Sequence, residues 1–548
     1  MKTAPPRPMR WLLPAVPLVF LALVLAAPVV RLLAEGLGAT ATASEALSWW
    51  ALWQDDHLRW RLLWSFAQAA ITCALALLLG LPLAWVLARL EFAGRATLLR
   101  ALMLPFVVPT LVAAMGVLAL WGPRGWLGEP LANAGVDLEN SPFLLLYGNL
   151  FFNLCLVVRA GVDALEQVSA TRIAAARSLG ATPWRAFWRV EWPAVAPWMA
   201  SALCLVFLYC FSGFGLALML GGQRYATVEV EIYTLVAHEL ELGQAGVLAV
   251  WMLLLTGAVA LAYAWMEKRL AAPGRTTPVA RQRPQGRGPW AAVVGTWAVL
   301  GLVCAAPLLA IVGQAARALL WGQGGAVLLE PETAQALWNT LRFSALALAL
   351  ATALGLCHAL AVRALDVAGA AHGAHSARGL LALAWRAAAF LPFVVSPVTV
   401  GFGLLLLYPQ WTASLGLLVA AYALLAYPFV AKSLSTALDN LPASYAQAAA
   451  TLGASHWRVF WRVTLPLVSG ALRRGMAFAA ATALGEFAVS LFLSRPEWTT
   501  LTTLIYQRLG RPGAGNLDAA LVLACLLMAL ALLAFAGIEG NKDKLPHA

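Results

Sequence analysis

Charged residues are scarce in this sequence: Asp, Glu, Lys and Arg make up 11% of 548 residues. Soluble domains carry about 25%, so an ordinary globular enzyme is excluded as a description of the chain. No Gly-x-x-x-x-Gly-Lys-Ser/Thr segment occurs, so the chain has no phosphate-cradling loop of its own. His-Glu-x-x-His, Gly-x-Ser-x-Gly and Cys-x-x-Cys are missing too, which leaves covalent and metal-assisted chemistry without a motif. The seven cysteines (Cys73, Cys155, Cys204, Cys210, Cys304, Cys357 and Cys525) sit inside apolar runs rather than in paired loops. Neither a disulfide framework nor a zinc spacing follows, and they read as small apolar core residues.

What is present is apolar: 62% hydrophobic residues, a mean hydropathy of +0.78 and 24 tryptophans. Crossing a hydrocarbon core takes about 20 helical residues, and such runs recur along the whole length. About twelve are expected, at 11–34, 64–88, 101–121, 143–163, 194–220, 245–268, 290–313, 341–363, 380–408, 413–433, 473–494 and 517–537. The first is longer than the core of a signal peptide and is followed by further runs, so it reads as a helix. The fold class is therefore an all-α polytopic membrane protein.

The net charge of +12 is read first as orientation. With the N-terminus in the cytoplasm, Lys2, Arg7, Arg10, Arg89, Arg95, Arg100, Arg172, Arg177, Arg185 and Arg189 fall on that side. Lys268, Arg269, Arg275, Arg281, Arg283, Arg287, Arg458, Arg462, Arg473, Arg474, Lys542 and Lys544 fall there too. Asp55, Asp56, Glu129, Asp137, Glu139, Glu229, Glu231, Glu239 and Glu241 fall opposite. This pattern predicts cytoplasmic termini and a lipid bilayer, not nucleic acid, as the setting.

The second half of the chain restates the first. Leu104-Pro105-Phe106-Val107-Val108 recurs as Leu391-Pro392-Phe393-Val394-Val395, each expected to open a span. Leu179-Gly180-Ala181 with Trp184 to Val190 recurs as Leu452-Gly453-Ala454 with Trp457 to Val463, an offset of 273 that persists at Phe214 and Phe487, Thr227 and Thr500, and Ile232 and Ile505. Two parallel six-helix repeats are expected, over 1–270 and 290–548, joined by a Pro/Gly/Arg-rich cytoplasmic linker at 271–289. A second soft segment from Ala368 to Gly379 holds His372 and His375, which read as solvent-facing rather than as metal ligands.

The duplicated loop, 163–193 and 436–466, carries the clearest local chemistry. Residues 163–178 form a helix whose Ala174, Ala175 and Ala176 permit close approach of another surface. Gly180 ends it as a left-handed cap, and Thr182 with Pro183 has the chemistry to start a new helix. In the second copy Gln447, Ala448 and Ala449 precede Gly453, and Ser455 is the cap. Trp184, Phe187 and Trp188, like Trp457, Phe460 and Trp461, are spaced to make one aromatic face. Arg185 and Arg189, or Arg458 and Arg462, make the other. Such a helix suits either the lipid interface or, since it occurs twice at identical spacing, docking to a two-fold partner.

These residues resemble the Glu-Ala-Ala signature loop of ABC importer permeases. Gly180 with Val190 and Pro193, and Gly453 with Val463, Leu465 and Pro466, fit its spacing, while the leading Glu is Ala174 in one copy and Gln447 in the other. Double fusion is similar to the ferric iron and thiamine branch. Leu52 to Asp56, Gly125 to Gly128, Phe151 to Leu154, Val190 to Pro193 and Ala226 to Tyr233 resemble the thiamine permeases within it.

The resemblance implies a type I importer permease fold in the bacterial inner membrane. It also implies two copies of an ABC ATPase subunit that hold the ATP and Mg, and a periplasmic binding protein that delivers a small solute. It assigns ATPase coupling to Ala174, Ala175, Ala176, Gly180, Thr182, Trp184, Arg185, Trp188, Gln447, Ala448, Ala449, Gly453, Ser455, Trp457, Arg458 and Trp461. Thiamine or its phosphates is the first expectation for the solute, and ferric iron the alternative. A proton-coupled secondary transporter is a further alternative, although Arg89 to Arg95 lacks the Gly-x-x-x-Asp-Arg pattern such a carrier shows between its second and third spans.

Polar residues at membrane depth are candidates for the translocation path. Glu486, opposite Gly213 in the first repeat, either helps pass a cation beside the aromatic faces of Phe214 and Phe487 or ties neighbouring helices together. Asn153 and Gln68 are weaker candidates suited to interhelical hydrogen bonds. Externally, Gly221 to Tyr225, the acidic helix through Glu241 and the stretches around Asp55 and Gly128 are expected to meet the binding protein or to be merely solvated.

Overall fold

The structure, a computed structural model, describes residues 9–37, 53–270, 279–322, 324–370, 384–412, 414–493 and 495–539. Leu52, His372, His375, Lys2, Arg7, Arg275, Lys542 and Lys544 lie outside them. In hydrocarbon each unpaired backbone group costs several kcal/mol, so an apolar run closes its hydrogen bonds along itself. Accordingly, the described residues are helical apart from turns and one isolated bridge between Leu90 and Gln282.

In chain order the helices begin with α1 (Pro14–Gly36), α2 (Asp56–Arg89), α3 (Arg95–Val107), α4 (Thr110–Trp121) and α5 (Phe143–Glu166). There follow α6 (Ala170–Ser178), α7 (Pro183–Phe211), α8 (Gly215–Leu220), α9 (Val228–Thr234) and α10 (Leu242–Met266). The second half supplies α11 (Arg287–Leu320), α12 (Pro331–Leu365), α13 (Pro397–Leu407), α14 (Leu415–Asp439) and α15 (Ala443–Thr451). It ends with α16 (Leu465–Leu484), α17 (Ala488–Leu493), α18 (Leu501–Leu509) and α19 (Ala514–Glu539). The sequence offset of 273 survives as structure: α6 and α15 start at 170 and 443, α8 and α17 at 215 and 488, α9 and α18 at 228 and 501.

Among the described residues nine helices are long and apolar enough to cross a membrane, ten if the bent pair α3 and α4 counts as one. The expected twelve is reached only by adding α13, with 11 residues, and α16, whose Arg473 and Arg474 lower its hydropathy. Three expected runs are also interrupted. The run at 101–121 bends by 109° between α3 and α4, at Pro109, which has no N–H to continue a helix. Leu104 to Val107 and Leu391 to Val394 therefore form single helical turns before the break rather than opening a span. The runs at 194–220 and 473–494 break at 212–214 and 485–487. Hydropathy does not register these breaks because both flanks are apolar.

The chain divides into two compact units that do not coincide with its two halves. One is built from α1 with α12 to α19, and the other from α2 to α11. The leading helix of each half thus packs with the helices of the other half, α1 on α12 and α11 on α4. Each leading helix carries a π turn, Ala22–Ala26 in α1 and Gly301–Ala305 in α11, followed two residues later by Pro28 or Pro307. Proline removes one amide donor and the wider turn accommodates its ring. A tyrosine then supplies a donor: Tyr408 Oη donates to the Leu23 carbonyl at 3.0 Å in one unit, and Tyr147 Oη to the Leu302 carbonyl at 2.6 Å in the other.

The same prolines press against glycine. A Cβ at Gly116 would lie 2.8 Å from the Pro307 carbonyl oxygen, and one at Gly403 would lie 2.9 Å from that of Pro28. Gly116→Val and Gly403→Val are each expected to lower stability by about 2 kcal/mol through overpacking. Gly257→Val, where a Cβ meets nothing within 4 Å, is expected to change it far less. Thermal unfolding in detergent checks this, and equal melting points for all three variants would contradict the proline and glycine contact.

Candidate functional site

The duplicated loop is built from two short helices around a left-handed glycine. Helix α6 follows α5 and buries none of its residues. Gly180 adopts φ +83° and Gly453 φ +81°, the left-handed caps expected from the sequence. The Ala181 and Ala454 amides then reach back to the carbonyls of Ala176 and Ala449 at 3.0 and 3.1 Å, closing each helix end. Thr182 Oγ1 accepts from the Arg185 amide, and Ser455 Oγ from that of Arg458, both at 3.4 Å. Ala174, Ala175, Gln447 and Ala448 are exposed, with Ala176 and Ala449 half-buried.

The second helix is not the single α-helix expected. Four residues, Pro183–Ala186 or His456–Val459, are followed by π turns at Phe187–Glu191 and Phe460–Thr464. Pro193 and Pro466, each two residues beyond, again explain the widening. The aromatic face survives in both copies. Trp184 and Trp188 meet edge-on at 5.5 Å, as do Trp457 and Trp461. Leu179 and Leu452, each 88% exposed, stand beside Trp184 at 70% and Trp457 at 60%. Arg185, Arg189, Arg458 and Arg462 are exposed as well.

Acids that the sequence reading left aside tie these loops to the helices behind them. Glu191 accepts from Arg89 Nη2 at 2.6 Å, with both side chains about one-tenth exposed. Glu166, the last residue of α5, accepts from Arg95 at 3.0 Å and from Arg281 at 2.9 Å, and Arg281 also reaches Glu91 at 3.4 Å. The Glu166 hydrogen bond raises the Arg281 pKa further. Part of the expected linker is therefore docked, its Gln282 exchanging backbone hydrogen bonds with Arg89 and Glu91; residues 271–278 lie outside the described residues. At the equivalent place in the other unit, Asp439 receives both amino groups of Arg386 at 2.7 and 3.1 Å. A faint sequence signal existed: Glu191 is a lone acid in a basic stretch.

At membrane depth each unit has its own polar set. In one, Gln68 donates to the Cys210 carbonyl at 2.8 Å and accepts from Asn149 at 2.7 Å, joining α2, α5 and α7. Asn153 donates to the Asn149 carbonyl and to Cys210 Sγ, and Phe214 is buried against Tyr233. In the other, Glu486 lies in the break before α17 and its Oε1 accepts the Val489 amide at 3.0 Å. Its carbonyl accepts from Thr502 Oγ1 at 3.0 Å, and Phe487 is buried against Tyr506. Glu486 and Gly213 are equivalent positions, so the carboxylate takes over a cap that the first repeat does without.

A family model for the binding-protein-dependent transport system inner membrane component matches residues 76–272 and 371–538. The chain belongs to this permease family. It is a fused, two-repeat ABC importer permease, a transport subunit. Over 90% of both chains it is 30% identical to the thiamine transport system permease protein ThiP of Escherichia coli (strain K12). It is 27% identical to the protein of that name from Haemophilus influenzae (strain ATCC 51907 / DSM 11121 / KW20 / Rd), over 91% of both chains. A bacterial ABC transporter involved in the import of the acidic polysaccharide alginate aligns with 96% of one of its chains and 48% of this one, at 18% identity and a TM-score of 0.39.

Opposite the loops, the permease departs from expectation. Glu229 and Glu231, placed by the sequence reading on a surface for an external partner, are buried within their unit. Glu231 accepts from Arg61 Nε at 3.0 Å and pairs with His57 Nε2 at 3.0 Å. Trp60 and Trp64 donate to the carbonyls of Arg224 and Tyr225, closing that corner. Gly222, Gln223, Arg224, Glu239 and Glu241 remain exposed.

The cap geometry gives a test of Glu486. Glu486→Gln keeps the acceptor for Val489 and is expected to melt and transport like the native permease. Glu486→Ala is expected to lose about 1 kcal/mol of stability. Melting curves and solute uptake decide, and loss of uptake in a normally folded Gln variant would show that the charge itself serves transport.

Proposed function

We propose that the permease lies in the bacterial inner membrane with both termini in the cytoplasm and passes thiamine or its phosphates inward from a periplasmic binding protein. ATP and Mg are held by two copies of a separate ABC ATPase, one on each duplicated loop. The observation that carries this reading is the pair of loops that follow α6 and α15, with Leu179, Trp184, Leu452 and Trp457 exposed on them. Large apolar side chains displayed twice in one geometry fit a partner that presents two equal clefts. The excess of arginine on these loops supports a cytoplasmic setting, and relatives named as thiamine permeases over nine-tenths of their length support the solute.

Mechanically, closure of the ATPase pair would displace the turns at Pro183–Ala186 and His456–Val459. The displacement would then pass through the π turns into Trp192–Phe211 of α7 and into α16. Glu486, Phe214, Phe487 and Asn153 are proposed to line or frame the solute path.

Reconstitution with ATPase and binding protein tests this. A Cβ at Gly180 or Gly453 meets no atom within 4 Å, but both residues hold left-handed backbone, so Gly180→Trp and Gly453→Trp strain the turn as well as fill the face offered to the partner. Each is expected to cut ATPase association and ATP-driven thiamine uptake about tenfold or more, equivalent to 1.4 kcal/mol. Gly180→Asn, which tolerates left-handed backbone, is expected to retain both. Undiminished association in the Trp variants would overturn the docking role, and uptake of ferric iron instead of thiamine would overturn the solute.

A further inference from the structure

The two coupling loops share a backbone but are not tied alike to the helices behind them. In one unit, α2 is a single helix of 34 residues with a buried ion pair at each end. Arg89, its last residue, holds Glu191 at 2.6 Å, and Arg61, near its start, holds Glu231 at 3.0 Å. The 28 steps from Arg61 to Arg89 span about 42 Å at a rise of about 1.5 Å each, more than the hydrocarbon thickness. All four side chains are about nine-tenths buried, so salt and water do not screen these pairs as they would at a surface.

Each acid also sits at a joint. Glu191 closes the π turn between the exposed Trp184 turn and the remainder of α7, Trp192–Phe211, where longer-range hydrogen bonds make the helix the natural place to bend. Glu231 sits on α9, whose first amide, that of Val228, is held by Ser65 Oγ of α2 at 2.8 Å. In the other unit, α12 runs the same course, and Thr340 Oγ1 holds the Leu501 amide at 2.9 Å in the same way. There the positions of Arg61, Glu191 and Glu231 are taken by Ala336, Thr464 and Leu504; α12 is tied to α18 instead by Arg508, which donates to Glu330 and, at 3.2 Å, to Glu332, while Thr464 puts no carboxylate at the π turn.

We propose that α2, continuous through Pro82 and pinned by Arg89 to Glu191 and by Arg61 to Glu231, is a relay between the first coupling loop and the opposite face of its unit. In the second repeat only the far end of α12 is tied by charge, through Arg508, and Thr464 leaves the π turn of its loop without an ion pair, so the two loops of the fused permease are mechanically unequal. The four residues are positioning residues for coupling. This rests on the loops being ATPase docking points.

The experiment uses the full permease with ATPase and binding protein in liposomes. It reads the ratio of binding-protein-stimulated to basal ATP hydrolysis at equal amounts of assembled complex. Glu191→Gln and Glu231→Gln are each expected to assemble normally and lower the ratio several-fold, and the double variant to do no worse than the weaker single. Thr464→Ala is expected to leave the ratio alone. The exchange of Arg89→Glu with Glu191→Arg is expected to restore the ratio, and it decides the matter should a single variant fold poorly. A native ratio in assembled Glu191→Gln, an equal fall in Thr464→Ala, or an exchange variant that assembles without recovery would each overturn the relay. Failure of the native permease to bind the ATPase would instead overturn the docking reading and leave the ion pairs as structural ties.

Discussion

A proline two residues beyond a π turn is the constraint on which the rest of this permease depends. It occurs at Pro28, Pro193, Pro307 and Pro466, after the turns at Ala22–Ala26, Phe187–Glu191, Gly301–Ala305 and Phe460–Thr464. Each proline withdraws the amide that would have met the carbonyl of the third residue of its turn, and the helix answers by widening rather than breaking. Two of these joints set how the leading helices pack, through Gly116 and Gly403. The other two lie between an exposed loop and a long helix. One chemical device thus serves assembly of the units and articulation of the loops.

The duplication was readable residue by residue, and its offset carried through to the starts of α15, α17 and α18. The left-handed glycines and their Thr182 and Ser455 caps were legible too, because caps are local and their residue types are specific. What could not be read was long-range or masked by uniform hydrophobicity. A repeat reveals which segments are related but not which copy each packs against, so the exchange of α1 and α11 was invisible. The breaks at 212–214 and 485–487 lie between apolar flanks. Glu231 looked like a surface acid because its cation, Arg61, lies 170 residues away.

Equivalence of the two repeats is therefore strongest in backbone and weakest in charge. Glu166 and Asp439 occupy one position and are both held by arginine, though from different segments. Glu486 has no acidic twin, and Glu191 and Glu231 have none either. Fusion into one chain lets the halves drift apart in this way, since each position mutates without altering its counterpart. A permease made of two identical subunits has no such freedom.

The account stands on the exposed faces of α6 and α15 being covered by the ATPase in the working complex. Single cysteines at Ala175 and Ala448, in a background lacking the seven native ones, can be labelled with a membrane-impermeant maleimide on the isolated permease and on the assembled complex. The account predicts ready labelling of both in the free permease and strong protection of both once the ATPase is bound. Equal labelling rates with and without the ATPase would contradict it.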